Sequence, residues 1–520
     1  DLAVAFPDLG EPMTVTLTDI ALFAAFYLVV LGFSVWKSRG EKDSAGYFLG
    51  RRALPWWLIG ISIVAANLTT EQFVGMAGQA AGDVGFAVSS WQILSSIAVV
   101  VVALFFLPRL LRTGIYTMPE FLEYRYNEAA RAMMSILMVT VYALVTTAAV
   151  LYSGGTALET IFGIDLLTAV LIIAGVAAVY VVWGGLLAAV WADLFQGTAL
   201  LIGGLLTTWI GIEACGGLST FLQTNADKMH LILPRDHPEL PWTTLIGGIW
   251  IPILYYCGFN QFIMQRSLGA RSLKHAQLGV IFAGTLWLLV PIAIVVPGIV
   301  AHQLYGETLG RMDQAYPTLI RNLVPEGLRG LIFAALVGAV ISSVAAMLNA
   351  GSTIFTMDIW KRYLNRGASE ANLVLTGRIT SVVFLLIAGV VSLTGLLKGG
   401  VFTFIQEFQG YVSPGILAAF IFGFAVKKAP PAAGVAALVV SAPLYGLLQW
   451  QWGDVPYLHR MLVTFASLVT LMGVITALAP LKEPRTLPVR KELDMGSSPA
   501  VFVWGALLIA AVAAYYLVFP

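Results

Sequence analysis

Five polar side chains in six positions interrupt an otherwise apolar stretch, Asn67-Leu68-Thr69-Thr70-Glu71-Gln72. Ser, Thr and Asn commonly bind helices together inside a membrane, but Asn, Glu and Gln together are costly there and point to a site. An unwound turn at this place would free backbone carbonyls for a cation and aim a half-helix end at a solute. A second interruption reads Tyr255-Tyr256-Cys257-Gly258-Phe259-Asn260-Gln261, and a third cluster, Ser342-Ser343, sets two hydroxyls in an apolar run. Hydroxyl and carbonyl oxygens suit a hard ion such as sodium. The alternative for the serines is a bond back to carbonyls one turn earlier. Asp193 lies near the start of its apolar run, where a carboxylate needs a partner or a water-filled path. It is a candidate for cation release, with an interfacial residue facing headgroups as the alternative. Of Gln406 and Glu407, one is expected to face a cavity and its neighbour to face protein.

The elements that must hold these groups are membrane spans. Hydrophobic residues make up 59% of the 520 and charged residues 11%, which points to lipid as solvent. Runs long enough to cross a hydrocarbon core give about fourteen helices, starting near residues 19, 54, 86, 132, 163, 189, 243, 277, 328, 374, 402, 431, 460 and 499. The first is read as a span and not a cleaved leader. With the N-terminus outside, most of the 29 Lys and Arg fall on inward connections, Arg52, Arg109, Arg125, Arg266 and Lys361 among them. Few, such as Lys228, Arg311 and Arg460, fall outward, so both ends are expected outside a cell membrane.

Several classes are excluded. Two cysteines, Cys215 and Cys257, build no disulfide framework, and the five histidines fall in or beside loops, away from intramembrane haem or copper positions. No P-loop, nucleophile elbow or metal motif accompanies the polar spans, so neither an enzyme nor a nucleotide-driven pump is expected. Nucleic acid is not an expected partner. The longest soluble segment, about 30 residues near 213–242, is too short for an output domain.

Several motifs in order resemble the sodium:solute symporter family: Gly184-Gly185-Leu186 then Trp191-Ala192-Asp193, Asn260-Gln261 before Gln265-Arg266, and Ser342-Ser343 before Thr356-Met357-Asp358. The resemblance spans nearly the whole chain and is closest to sugar carriers, the bacterial sodium/galactose and animal sodium/glucose branch. It implies an all-α, leucine-transporter-type fold in one transmembrane domain over 1–520. An N-terminal helix at 19–37 would precede inverted five-helix repeats at 54–212 and 243–426, with further helices at 431–519. It places sodium, the coupling ion, on the carbonyls of Ala65, Leu68 and Ala339 and the hydroxyls of Ser342 and Ser343, with Asp193 on the exit route. Ala345 and Ala346 stand where some relatives carry serines of a second sodium site, so one sodium per cycle is expected.

For the solute, the resemblance implies contacts from Asn67, Gln72, Ser95 and Gln406, an inner gate at Tyr256, and Met76 within the same site. Four positions depart from the galactose carrier: Gln92 replaces a glutamate, Trp287 a lysine, Ile253 an asparagine and Cys257 a tryptophan. Gln92 still donates and accepts hydrogen bonds, so a different sugar or polyol fits better than galactose. No basic residue is expected at mid-span, which points independently to a neutral solute. Trp91 and Trp287 offer flat faces to a sugar ring, with ordinary core packing as the alternative. The expected activity is sodium-coupled symport of a neutral hexose or polyol, with an amino-acid or vitamin carrier, or a channel or sensor of the same fold, as alternatives.

Overall fold

Apolar chain in lipid must satisfy its own peptide groups, and among the described residues this one does so by helices. The computed structural model describes residues 16–38, 52–183, 186–325, 327–397, 400–489 and 493–520. Gly184 and Gly185 of the sequence motif lie outside them. The elements, in order, are α1 (Leu17–Ser38), α2 (Trp56–Asn67), α3 (Glu71–Ala81), α4 (Gly85–Thr113), α5 (Met118–Arg125), α6 (Glu128–Phe162), α7 (Leu166–Trp183) and α8 (Leu186–Ala214). Then come α9 (Trp250–Phe259), α10 (Gln261–Leu268), α11 (Leu273–Thr308), α12 (Leu328–Leu364), α13 (Glu370–Ser392), α14 (Val401–Ala425), α15 (Pro431–Gln451), α16 (Tyr457–Leu478) and α17 (Pro499–Val518).

Among the described residues twelve helical runs are long and apolar enough to cross a membrane, Trp242–Leu268 with α9 and α10 counted as one of them, and α2 with α3, bent by 55°, makes a thirteenth. The expected fourteen is therefore twelve to thirteen by this measure; α7 is apolar but falls outside the twelve.

The broken span sits at the centre of the packing. α2 packs on α11 and α8, α8 packs on α12, α9 packs on α14 and α4, and α10 packs on α12. Gly197 lets α8 and α2 approach closely, since a Cβ there would lie 3.0 Å from the Cα of Ala65. That approach brings Asp193, one turn earlier on α8, against the middle of α2.

The solute cavity and the carboxylate between the broken helices

Both predicted interruptions are real breaks. After Asn67 the chain leaves the α-conformation at Leu68 (ψ 68°), where its N–H still bonds Val64 O at 2.7 Å. The Thr69 N–H turns to Asn67 O at 2.8 Å, and the Thr69 hydroxyl accepts the Glu71 N–H at 3.2 Å, restarting the helix at a new angle. The second break is Asn260, extended at φ −75° and ψ 122° between α9 and α10. Its side-chain oxygen caps α10 by accepting the Phe262 N–H at 3.1 Å and takes a second bond from the Tyr142 hydroxyl.

Between the breaks lies a cavity of about 500 Å³ including its mouth, walled by Asn67, Gln72, Trp91, Gln92, Ser95, Tyr256 and Gln406 among the residues expected there. Gln92 donates from Nε2 to Gln72 Oε1 at 3.0 Å, and Asn67 donates from Nδ2 to the Tyr256 hydroxyl at 3.1 Å. Ser95 turns its hydroxyl to Trp91 O at 2.6 Å, and the Trp91 ring meets Phe402 edge-on at 5.7 Å. Gln406 faces this space, whereas Glu407 turns away from it, partly exposed, and accepts from Arg460 at 3.1 Å.

Two expected wall residues lie elsewhere. Trp287 is fully buried, away from the cavity, and its indole Nε1 has no acceptor, so core packing describes it better than a sugar platform. Met76 is also fully buried and stands behind Gln92, with Sδ 3.7 Å from its Nε2. The structure adds Glu71, Pro252, Ile253, Phe402, Ile405 and Gln409 to the wall. Gln409 lies one turn from Gln406 on α14, a spacing that marks it as a neighbour on one face. Glu71 belongs to the polar run that flagged the site.

A second cluster joins four helices. Asp193 on α8 is completely buried, which removes the headgroup-facing alternative. One carboxylate oxygen accepts from the Ser62 hydroxyl of α2 and from Arg266 Nη2 of α10 at 3.0 Å; the other accepts from the Ser342 hydroxyl of α12. Arg266 also donates to Ser62 Oγ at 2.6 Å and to Phe262 O at 2.6 Å. Arg266, read from sequence as part of a connection, is thus a buried cation whose charge is matched by Asp193, and it does not wall the solute cavity. Likewise Arg460, read as part of an outward connection, is buried on α16.

Ala65, Leu68, Ala339, Ser342 and Ser343 are all buried on α2, at its break, or on α12, and these helices touch each other and α8. The Ser343 hydroxyl is buried without a hydrogen-bond partner. Among the described residues no group of three or more His, Cys, Asp or Glu is placed to hold a metal, and this seam instead offers neutral hydroxyl and carbonyl oxygens.

The two ends of the cavity differ. One turn beyond Tyr256, Phe259 stacks on Phe420 at 4.3 Å and Phe106 on Phe424 at 5.6 Å, an aromatic layer across α4, α9 and α14. On the α3 side, Gln79 Nε2 donates to Glu239 Oε2 at 2.7 Å and lies 2.9 Å from Thr403 Oγ1, tying α3 to the 215–241 connection and to α14. Burial pushes the Glu239 carboxyl up, and the nearby Asp83 and Glu407 carboxylates add to that rise.

Helices crossing a membrane around a polar cavity, with two breaks beside it, define a leucine-transporter-type carrier; the chain is a transporter and not an enzyme. Its fold is similar to that of a sodium-coupled sialic acid symporter solved in a substrate-bound outward-open state, at a TM-score of 0.80 and 21% identity, covering 92% of this chain and 100% of that one. Residues 47–440 match the model of the sodium:solute symporter family, and the chain belongs to that family. It is 37% identical to a sodium/glucose cotransporter of Vibrio parahaemolyticus over 95% of this chain and 97% of the relative. It is 31% identical to sodium/myo-inositol cotransporter 2 of Homo sapiens over 82% of this chain and 68% of the relative. Sodium-coupled symport of a small solute is its activity.

Proposed function

We propose that this symporter carries a neutral sugar or polyol into the cell with one sodium ion per cycle. The observation that supports this reading most is the cavity wall: five amide side chains, one carboxylate, a phenol and two flat aromatic rings, with no basic residue among its lining. An anionic solute would enter without a counter-charge, whereas hydroxyl-rich solutes match amides that both donate and accept. The names of the glucose and myo-inositol relatives agree with that class.

In this reading sodium sits at the seam of α2 and α12, held by the carbonyls of Ala65, Leu68 and Ala339 and the hydroxyls of Ser342 and Ser343. The free Ser343 hydroxyl fits that role. Holding the break of α2 in place favours the conformer in which Asn67, Gln72, Gln92 and Gln406 converge on solute, so coupling is a difference in affinity between conformers. Movement of the broken helices then parts the aromatic layer and swings Tyr256 aside, and sodium leaves past Asp193. The protein spans the cell membrane many times, with both ends outside. Membrane voltage contributes roughly 2.3 kcal/mol per charge per 100 mV.

The test is uptake into proteoliposomes of labelled glucose, galactose, mannose, fucose, myo-inositol, proline and sialic acid under an inward sodium gradient, compared with choline. The expected result is sodium-dependent accumulation of one neutral sugar or polyol. Sodium-independent equilibration, or accumulation of proline or sialic acid instead, overturns the reading.

A further inference from the structure

The unsatisfied polar atoms around the cavity are of one kind. Asn67 Oδ1, Glu71 Oε2 and Gln409 Oε1 are buried with no hydrogen-bond partner, and all three residues line the same space. Each is an acceptor. Two of the neighbouring amide donors are already engaged, Gln92 Nε2 with Gln72 and Asn67 Nδ2 with Tyr256. Glu71, placed at the start of α3 by the break itself, brings the one carboxylate among the cavity's lining residues, and no lining residue is basic. A buried acceptor without a donor is unfavourable, and a carboxylate more so, unless a ligand supplies what the protein withholds.

We propose that Glu71 is a solute-binding and specificity-determining residue: its carboxylate, with Gln409 Oε1 and Asn67 Oδ1, forms a cluster of acceptors that takes the O–H donors of adjacent hydroxyls on the solute. The inference rests on the neutral sugar or polyol reading and deepens it. A carboxylate has two oxygens and about four lone-pair sites, so it accepts from two neighbouring hydroxyls at once, and such charge-assisted bonds are the strong ones. The subsite therefore rejects solutes that present only acceptors, such as carboxylates, ethers or fully alkylated sugars, and ranks polyols by whether two hydroxyls are adjacent on the side turned to α3. It also answers the replacement of an acid by Gln92 on α4: the cavity keeps an acidic group, supplied by α3.

The experiment uses the full-length protein in proteoliposomes with the neutral solute that the wild type accumulates. Glu71→Gln keeps shape and removes charge and one acceptor, and is expected to raise the solute KM roughly 10-fold or more, as for loss of a hydrogen bond to a charged group. The sodium concentration for half-maximal uptake is expected to stay unchanged. Deoxy analogues of the solute give the decisive readout: the KM penalty of Glu71→Gln is expected to shrink for each mono-deoxy analogue lacking one of the two adjacent hydroxyls that Glu71 binds, and to vanish for the analogue lacking both. If Glu71→Gln is not produced as folded protein, Gln409→Leu on the same analogue series decides, with a smaller rise in KM that one analogue abolishes. An unchanged solute KM, an equal penalty across every deoxy analogue, or a change in sodium dependence instead of solute KM overturns the proposal. The first leaves the sugar or polyol reading standing, and the last assigns these oxygens to a cation. Failure of the wild type to accumulate any neutral sugar or polyol overturns both readings and is seen before a variant is made.

Discussion

Replacing Asp193 by Asn leaves the Arg266 guanidinium buried and unpaired, because the pair at 3.0 Å is enclosed by α2, α8, α10 and α12 and neither side chain reaches solvent. Breaking such a pair by removing one partner costs on the order of 3–5 kcal/mol, most of it the penalty of the charge left behind. The amide keeps one acceptor for one of the Ser62 and Ser342 hydroxyls, and the other hydroxyl can turn to accept from the amide N–H, so most of the loss is assigned to charge. Replacing Arg266 by Met in turn leaves a buried carboxylate with two hydroxyl donors and is expected to cost a similar amount. The double variant removes both charges and is expected to come within about 1 kcal/mol of wild type, since exchanging a whole buried pair for neutral groups is often near neutral. Thermal unfolding in detergent, followed by the fluorescence of the 14 tryptophans, ranks the four proteins. A double variant that melts as low as the sum of the two singles shows no coupling between the residues and refutes the assignment of a buried ion pair.

Ser343→Ala removes a hydroxyl that has no partner in the fold, so the melting temperature is expected to hold while half-saturation by sodium rises about 10-fold or more, read from uptake against sodium concentration. Gln72→Ala removes the acceptor of Gln92 Nε2 at 3.0 Å; solute uptake is expected to fall at least about tenfold while sodium still raises the melting temperature. His237 accepts the Glu239 and Leu240 N–H groups at Nδ1, at 3.3 and 3.1 Å, so the turn that presents Glu239 to Gln79 requires the neutral ring. Burial lowers its pKa, and the Asp83 and Asp236 carboxylates only partly oppose this, so the turn keeps its full stability above the unfolded value near 6.5 and loses it as pH falls below that. The protection factor of the Leu240 amide, its exchange rate corrected for the intrinsic rate at each pH, is expected to fall on acidification from pH 7.5 to 5.5 in wild type; a protection factor with no such pH dependence refutes the role of the ring.

Both helix breaks were legible because lipid makes polar backbone and side chains expensive, so Asn67 to Gln72 and Asn260-Gln261 stand out against apolar sequence without any knowledge of neighbours. The partner of Asp193 was not legible. Arg266 lies at the end of a short helix that begins at Asn260, and a positive charge near a span end reads as a loop residue unless a buried carboxylate is known to face it. Trp287 shows the opposite failure: ring type suggested a sugar platform, but helix rotation decided that it packs into protein. Residue type does not carry that rotation when a span is apolar on every side. Gln409 was within reach through its one-turn spacing from Gln406, and Glu71 through its own polar run; both are cavity residues because the breaks tilt α3 toward α14, where Gly75 admits Phe402.

With the proposed sodium site and the cavity on one broken span, ion and solute are not expected to act independently. Ala65 and Leu68 end the first half of that span, Glu71 and Gln72 begin the second, and only Thr69 and Thr70 separate them. An ion that fixes the carbonyls before the break therefore fixes the angle at which the acceptors after it meet the cavity. Asp193 strengthens this link, because through Ser62 and Ser342 it joins the helix before the break to α12, and through Arg266 it joins both to α10, directly after the second break. A carrier with separate rigid sites for its two ligands would bind each with the same affinity whether or not the other was present, and no gradient in one could drive the other. In the proposed reading the hinge belongs to both sites, so any difference in its angle between conformers is felt by both ligands, and by linkage the gain in affinity is the same in either direction.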